Sequence, residues 1–211
     1  MMRLIRDSGF LSCKPALLAL AGTAMALAAT AGSAEVVCKD SAIFAQTPYL
    51  PNDDWDADFS DADAFSGQRY YENYSANGFV CSLRVWGVMI DGSGIACDDQ
   101  PVTFDVSFHA ADGPDGTPGD SLCSTMVTVV GEDTGYAFQP GGPHQDWPMY
   151  MYDIDLGFCC PLSEGWVSVQ ATTGGDANCW FMWVGSGTGM DSQSYMVDGV
   201  GSGQYISLDL S

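Results

Sequence analysis

Hydrophobic and polar residues alternate with a period of two over much of the chain, the pattern of half-buried β-strands. The clearest run is 102–110, in which valine, phenylalanine and alanine occupy every second position and polar residues stand between them. A strand with this pattern presents one face to a core and the other to solvent. Similar apolar runs predict further strands at 79–90, 122–130, 149–156, 166–172, 179–184, 194–197 and 205–210.

Turn-forming residues separate these runs, and helical patterns are scarce after residue 34. Clusters of Gly, Pro, Asp and Ser occur at 91–94, 112–120, 140–143 and 174–176. About eight strands spaced in this way predict an all-β fold, an antiparallel β-sandwich with jelly-roll-like connections. The chain of 211 residues suits one such domain. We place that domain at 35–211, with an acidic segment, 35–66, that packs one or two strands onto it.

The first 34 residues follow the order of a cleaved secretory signal peptide. Arg3, Arg6 and Lys14 precede or begin an Ala- and Leu-rich apolar stretch that ends in small residues. The alternative, a membrane anchor, is disfavoured because the stretch falls short of about 20 apolar residues and lacks a basic stop-transfer flank. We therefore expect cleavage after Ala34, release outside the cytoplasm and a mature chain without a membrane span.

The charge balance excludes several classes of partner. The chain has 6 basic and 27 acidic residues, a formal charge of −21. Residues 1–34 contain three of the basic residues and one of the acidic ones, so the mature chain keeps three against 26, or −23. Nucleic acids and anionic membrane surfaces both attract clustered Lys and Arg, so neither is an expected partner. Most of the mature acids are Asp, which favours turns and calcium-binding loops over helices.

Seven cysteines follow the signal segment, and in an exported chain we expect them to form disulfides. The pairings that we prefer are Cys97–Cys123 and Cys160–Cys179, among the many that seven cysteines allow. The adjacent Cys159 and Cys160 point to opposite faces if they lie on a strand. One of the seven is left over, and we expect it either to be buried or to link the chain to a second one as a disulfide-bonded dimer.

Three stretches carry the most distinctive motifs of the chain. The first ends in Val85-Trp86-Gly87, the second in Thr117-Pro118-Gly119, and the third combines Cys159-Cys160-Pro161, Gly165-Trp166-Val167-Ser168 and Cys179-Trp180-Phe181. Together they resemble a family of uncharacterised secreted bacterial β-sandwich modules. The resemblance covers roughly residues 70–200, and its last motif is the most specific. The loop 189–195 matches the family pattern only in part. The resemblance implies a β-sandwich exported by a bacterium, and it implies no catalytic residue.

An acidic run offers candidate ligands for calcium. Carboxylates at alternate positions, as at Asp54, Asp56 and Asp58, are typical of calcium loops. Phe59 stands where an EF-hand needs Gly, and Phe65 where it needs Glu, so the run is no EF-hand. The candidates for an irregular calcium site are Asp53, Asp54, Asp56, Asp58, Asp61 and Asp63. The alternative interpretation is a solvated acidic loop without metal.

Aromatic residues are frequent, and sugars stack on exposed aromatic rings beside polar groups. The candidates for a carbohydrate-binding platform are Trp86, Trp180, Trp183 and Tyr195. Trp180 and Trp183 fall on opposite sides of a strand, so we expect one of them in the core. The alternative is that all these rings serve packing alone.

No constellation of residues predicts catalysis. Asp105, Ser107 and His109 share one strand face, but residues two apart on a strand are about 6.6–6.8 Å apart. We expect that distance to be too long for contact between a nucleophile and its base. Nucleophile elbows, metalloprotease helices and phosphate-binding loops are missing from the sequence.

The sequence therefore predicts a secreted or surface-displayed binding or adhesion module without catalysis. Its leading form is braced by calcium and binds a glycan or another extracellular protein. Two alternatives stay open, a secreted hydrolase acting on glycosides and a structural subunit of an extracellular matrix.

Overall fold

The computed structural model describes residues 2–5, 42–45, 48, 57–64, 67–138, 147–172, 178–185, 193–197 and 205–209. These residues are almost entirely in β-strands, and every pair of neighbouring strands is antiparallel. The all-β, antiparallel prediction is thus confirmed. The strands are β1 (Met2–Ile5), β2 (Ala42–Ala45), β3 (Ala57–Phe59), β4 (Arg69–Asp91), β5 (Val102–His109), β6 (Ser121–Val129), β7 (Glu132–Phe138), β8 (Trp147–Thr172), β9 (Cys179–Val184), β10 (Gln193–Val197) and β11 (Tyr205–Asp209). Within these ranges no helix is long and apolar enough to span a membrane.

Two long strands, β4 and β8, organise the sheet because they pair along most of their length. Glu72 lies opposite Val167 at one end, and Gly87 lies opposite Tyr150 at the other. The register shifts twice near the middle, between Ser75 and Gly78 and between residues 80 and 82. Register shifts of this kind bend and twist a sheet. The bend divides the sheet into two halves.

Glycine and a disulfide mark the bend. Gly78 and Gly157 have φ values of +143° and +72°, a region that glycine adopts without the steric penalty of a Cβ. The Cys81–Cys159 disulfide joins the two long strands at the same level. The bend is therefore built into the local chemistry of both strands.

Each half adds its own neighbours to the shared strands. In the first half, residues 69–80 of β4 and 160–172 of β8 are flanked by β5 and β6 on one side and by β10 and β11 on the other. In the second half, the remaining parts of β4 and β8 are flanked by β7 on one side and by β9 and β3 on the other. β1 pairs with β4 at the bend, and β2 lies beyond β1. The sheet is open.

The inner faces of the two halves pack against each other through aromatic rings. Phe104 of β5 has its ring centre 5.0 Å from that of Phe181 in β9 and 5.1 Å from that of Tyr152 in β8, both edge to face. Tyr70 and Trp183 meet across the same gap at 5.5 Å. Edge-to-face pairs stabilise a core by about 0.5–1.5 kcal/mol beyond the area they bury. This packing is compatible with a sandwich, but the sandwich and its jelly-roll connections both stay predictions.

A second apolar cluster covers the other face of the second half. Its members are Trp86, Val88, Ile90, Phe138, Trp147, Met149, Met151, Met182 and Val184. Because this half is buried on both faces, residues 83–90 of β4 are all buried, and they read as a nearly continuous apolar run. Arg84 interrupts the run and donates hydrogen bonds of 2.6 and 2.5 Å to the carboxylate of Asp153.

Every predicted apolar run lies in an observed strand, but the boundaries differ. The runs 149–156 and 166–172 belong to the single strand β8, because β8 continues past the register shift at the bend and pairs with β4 again from Cys160. β7 is missed by the sequence pattern, since only Thr134 and Phe138 in it are buried. The expected strand of the acidic segment is present as β3, which pairs with β9.

Three disulfides staple the described strands: Cys81–Cys159, Cys97–Cys179 and Cys123–Cys160. The preferred pairings Cys97–Cys123 and Cys160–Cys179 are therefore wrong, although all four cysteines are oxidised. Cys179 begins β9 opposite Asp91, and this places it beside the loop after β4 that contains Cys97. Long-range strand register, which the linear sequence does not reveal, decides these partners.

The expectation for the adjacent cysteines is confirmed. Cys160 is buried and pairs with β6, whereas Cys159 is exposed and pairs with β4. Cys38, the remaining cysteine of the mature chain, lies outside the described residues. The odd cysteine and a dimer linked through it stay predictions.

Candidate functional site

Two of the tryptophans predicted to bind carbohydrate lie in the core. Trp86 is fully buried in the second apolar cluster, and Trp183 is 1% exposed in the core between the halves. Ligands cannot stack on rings without solvent access, so the prediction is wrong for both residues. Period-two alternation identifies strand faces, but it does not reveal that the second half is covered on both faces.

The other two candidates for carbohydrate binding, Trp180 and Tyr195, differ from this pair and from each other. Trp180 is partly exposed and makes an edge-to-face contact with Phe59 at 5.9 Å, so one of the Trp180–Trp183 pair is in the core, as predicted. Tyr195 pairs through its backbone with Tyr71 of β4, and its side chain lies outside the described part of the structure. The four aromatic candidates therefore do not form one described platform.

The calcium prediction is only partly covered by the described residues. Asp53, Asp54 and Asp56 lie outside them, and Asp58 is paired within β3 opposite Trp183. Among the described residues no group of three or more His, Cys, Asp or Glu side chains is placed to hold a metal ion.

Asp61 turns away from solvent and binds backbone amides. Its carboxylate accepts hydrogen bonds of 2.9 Å from the N–H of Phe181 and 2.8 Å from that of Asp63. Burial raises the pKa of the Asp61 carboxyl, and the bonds from these two N–H groups act in the opposite direction. Because Phe181 belongs to β9, Asp61 ties the acidic segment to the second half of the sheet.

The same short segment also holds the first half of the sheet. The backbone of Ser60 accepts a hydrogen bond from the N–H of Ala171 in β8, and the N–H of Ala62 donates one back to Ala171. The Ser60 hydroxyl accepts from the N–H of Tyr70 in β4. We name residues 60–62 the clamp, since they bind backbone groups of both halves.

Polar side chains cover the outer face of the first half, the side away from the core between the halves. Register places Thr172, Thr103 and Thr128 in one row across β8, β5 and β6. The next rows are Gln170, Asp105 and Met126, and then Ser168, Ser107 and Ser124. Thr128, Met126 and Ser124 are exposed, and Thr103, Thr172 and Asp105 are half-buried. We name this surface the outer polar face.

Arg69 sits at the centre of the outer polar face. Its guanidinium donates to the Ser107 hydroxyl at 3.0 Å, to the Gln170 side-chain oxygen at 3.1 and 2.7 Å, and to the Asp105 carboxylate. Gln170 in turn donates to the backbone oxygen of Gln68. The network fixes a cation and a carboxylate side by side on a flat strand surface.

Ser107 and His109 are in hydrogen-bond contact, contrary to the expectation from strand spacing. Ser107 Oγ lies 3.0 Å from His109 Nε2, and His109 Nδ1 lies 3.0 Å from the Gly119 carbonyl. The expectation was wrong because it compared backbone positions, whereas the side chains lean toward each other. A carbonyl only accepts, so Nδ1 carries the proton; in the neutral ring Nε2 then accepts from the Ser107 hydroxyl.

The surroundings of His109 favour the neutral imidazole. Burial is the largest effect and lowers its pKa, while the hydrogen bond to the Gly119 carbonyl acts in the opposite direction; the charges of Arg69 and Asp105 have smaller effects, which lower and raise the pKa respectively. The Tyr71 ring packs edge to face against the imidazole at 5.4 Å. Asp105 pairs with Arg69, so these residues are not arranged as an Asp-His-Ser triad.

The loop between β5 and β6 closes one end of the outer polar face. The indole N–H of Trp166 donates to the Gly116 carbonyl at 2.9 Å, and the Gly119 carbonyl meets His109. A Cβ on Gly119 would lie 2.9 Å from the backbone nitrogen of Gly113 and 1.7 Å from Asp112 Oδ1, so a larger residue would force this tight return of the chain to shift. The glycine- and proline-rich sequence of this loop thus allows the tight turn that covers one end of the outer polar face.

One buried hydroxyl on this face lacks a hydrogen-bond partner. Ser168 is fully buried, and its Oγ makes no hydrogen bond to the described residues. It lies opposite Ser107 in the strand register. Buried polar atoms are normally hydrogen-bonded, often to ordered water, so this position offers an additional polar contact beneath the Arg69 network.

Arg69 and Gln170 were missed as functional candidates in the sequence. A usable signal was present, since residues 35–211 contain only three basic residues, Lys39, Arg69 and Arg84. Both arginines lie in β4 and both pair with aspartates, Arg84 with Asp153 on the neighbouring β8 and Arg69 with Asp105 on β5, one strand further away. A scarce cation within a strand of an acidic chain therefore marks a fixed ion pair.

The fold and site define an all-β, antiparallel, disulfide-stapled domain with one hydroxyl-rich polar strand face. Comparison with protein-family models, curated proteins and solved structures finds no match for the chain. The resemblance to secreted bacterial β-sandwich modules accordingly stays a prediction, and function has to be argued from the outer polar face.

Proposed function

We propose that the protein is a secreted binding module that recognises a polyhydroxylated ligand, a glycan, through the outer polar face. The observation that carries the proposal is the set of solvent-accessible hydroxyls, those of Thr103, Thr128, Thr172 and Ser124, around the Arg69–Asp105 pair. Hydroxyls both donate and accept, and the fixed guanidinium and carboxylate add one strong donor group and one strong acceptor. A sugar ring presents the complementary mixture of donors and acceptors.

Secretion is supported by two independent features. Three disulfides form within the described residues, and disulfides persist in oxidising compartments. The leader has the order of a signal peptide. Cleavage after Ala34 also removes β1 from the edge of β4, and we expect the β4–β8 pairing to persist without it. N-terminal sequencing of the exported protein should start at Glu35; retention of Met1 in the exported protein would contradict this.

A glycan array tests the proposal directly. The mature protein is screened with calcium and with a chelator, alongside Thr128→Ala and a matched control, Ser163→Ala, which is exposed on β8 near the bend. Loss of one hydrogen bond should weaken binding by about 2- to 13-fold in Thr128→Ala, while Ser163→Ala binds like the wild type. Absence of binding by the folded protein in both conditions contradicts glycan recognition.

Calcium bracing of the acidic segment is proposed separately from glycan binding. The segment concentrates carboxylates in a chain of −23 mature charge, and a metal bound only to the folded state raises stability. Differential scanning calorimetry in millimolar calcium and in chelator should give a higher Tm with calcium. An identical Tm in both contradicts the calcium hypothesis and leaves the glycan proposal standing.

A hydrolase is the second candidate, favoured by the 3.0 Å contact between Ser107 and a neutral His109. The binding proposal is preferred because Ser107 is buried and also accepts from Arg69. A fluorophosphonate probe distinguishes the two. Stoichiometric labelling that disappears in Ser107→Ala but persists in Ser124→Ala supports a hydrolase with Ser107 as its nucleophile, and no labelling contradicts that hydrolase.

A further inference from the structure

β6 is an edge strand of the sheet as far as the structure describes the chain. It ends the strand order and, within the described part of the chain, pairs only with β5. Its alternate residues from Leu122 to Thr128 are exposed. An edge strand presents a row of backbone N–H and C=O groups that a further strand can pair with.

The sequence of β6 lacks the features that usually protect such an edge. Residues 121–130 contain no charged residue, no proline and no glycine, in a chain of net charge −21. Valine and threonine, which favour strands, make up half of these ten residues. Natural sheets block their edges with lysine, proline, bulges or inward charges. The pairing of β6 with β5 is irregular at Leu122, but the regular stretch from Cys123 to Val129 has none of these protections, which indicates a surface that is used.

Apolar side chains are exposed along this strand and at the residue that follows it. Leu122 is 48%, Met126 65% and Val130 70% exposed. Leu122 and Met126 lie on one side of the strand, and Val130 continues the same spacing just after its last residue. These apolar side chains lie beside Ser124 and Thr128 at the rim of the outer polar face. The features described above do not explain a row of apolar side chains there.

The strand is complementary to itself. Antiparallel pairing of two copies about Met126 sets Met126 opposite its equivalent, Leu122 opposite Val130 and Ser124 opposite Thr128. Each apolar side chain then faces an apolar one and each hydroxyl a hydroxyl, and such cross-strand pairs stabilise antiparallel sheets. A two-fold contact of this type uses the same patch on both copies.

The charge of the strand also bears on its partner. The stretch 121–131 is neutral, whereas Asp120 and Glu132 flank it and lie opposite each other in this pairing, so the uncharged centre carries the contact and the like charges at its two ends oppose it. A basic partner, in contrast, has acidic surface to bind elsewhere and gains no charge contact from β6. The strand is suited to another uncharged strand rather than to a cationic ligand.

We propose that two copies of the protein associate through their β6 edges, antiparallel and centred on Met126, to form one continuous sheet. The outer polar faces of the two copies then lie side by side on the same surface. A ligand with repeating units could be held at both, which multiplies affinity without a new contact. The association itself does not depend on the ligand proposed for that face.

Sedimentation equilibrium of the mature protein tests the proposal with a matched pair of variants. Met126→Lys places two like charges opposite each other at the centre of the contact, whereas Ile95→Lys adds the same charge at a side chain that is 63% exposed in the turn after β4. We expect a wild-type dimer, a Kd raised about tenfold or more in Met126→Lys, and an unchanged Kd in Ile95→Lys. Circular dichroism checks that both variants are folded.

Two further readouts locate the contact. The dimer should tighten as salt is raised, because salt screens the repulsion of the acidic copies over a Debye length of about 10 Å at 0.1 M. Amide exchange in 121–129 should slow at protein concentrations where the dimer forms. A wild-type monomer at all concentrations, equal dimerisation of Met126→Lys, or a dimer with unchanged exchange in β6 overturns the proposal.

Discussion

The two halves of the sheet share the strands β4 and β8 but use them in opposite ways. In the second half both faces of β4 are buried, whereas β8 has Asp153 and Asp155 exposed, and the largely covered Arg84 of β4 is held against Asp153. In the first half one face lies in the core, and the other carries Arg69, Gln170 and rows of hydroxyls. One pair of strands thus passes from a purely structural environment to a polar surface across a single bend.

The difference shows how a small domain separates stability from recognition. A strand covered on both faces contributes apolar area on each, at about 25 cal/mol per Å² removed from water. A strand with one polar face gives up part of that contribution and gains a rigid array of donors and acceptors. The bend at Cys81–Cys159 allows the same chain segments to do both.

Of the variants that test this comparison of the two halves, Trp86→Ala is expected to lower the free energy of unfolding the most. Trp86 is fully buried in the second half, and removing a buried Trp destabilises a protein by about 3–5 kcal/mol. Trp180→Ala, at a partly exposed tryptophan, should cost less. Urea unfolding of both variants measures the difference. Equal losses would show that the second half is not covered on both faces.

Removal of the Cys123–Cys160 disulfide should have the next largest effect. The two cysteines are separated by 37 residues, for which the chain-entropy model gives about 3–4 kcal/mol. The double variant Cys123→Ala/Cys160→Ala should therefore unfold at lower denaturant, and β6 should exchange its amides faster. If stability fell but exchange in β6 did not change, the bridge would not be what holds this edge to the core.

The clamp supplies a smaller and more local test. In Asp61→Ala the backbone N–H groups of Phe181 and Asp63 lose their acceptor, and an unsatisfied buried group costs about 1–3 kcal/mol. Asp63→Ala serves as the control, since it removes a carboxylate that neither of these bonds uses. Thermal unfolding in chelator compares the two. Equal stability of both variants would contradict the role of the clamp in joining the halves.

The smallest effect is a pH dependence centred on His109. Its pKa is lowered in the folded protein, mainly by burial, so the unfolded chain binds a proton more readily. Stability should therefore fall as pH drops below about 6.5, the unperturbed value. Denaturant midpoints between pH 5 and 8 measure the slope, and His109→Gln should flatten it. An unchanged slope in that variant would assign the dependence to other groups.

The sequence predicts the strands well because burial on one face leaves a period of two. The alternation in 102–110 needed only local information, and the opposite directions of Cys159 and Cys160 followed from strand geometry alone. β7 was not predicted because its residues are mostly exposed and form no apolar pattern in the sequence.

The site was harder to predict because it depends on contacts between distant residues. Arg69 meets Asp105 and Gln170 across separations of 36 and 101 residues, and cysteine partners are set by the same long-range register. Trp86 and Trp183 look alike as ligand candidates in the sequence, and only the covering of both faces shows that they are core residues.

The central claim is that the outer polar face of the first half recognises the ligand. An NMR titration of the isotopically labelled mature protein with the best glycan from the array tests it most directly. We predict that amide shifts move at Thr103, Asp105, Thr128 and Thr172, while those of β7 and β9 stay in place. Shifts confined to β7, β9 and the second half would contradict the account.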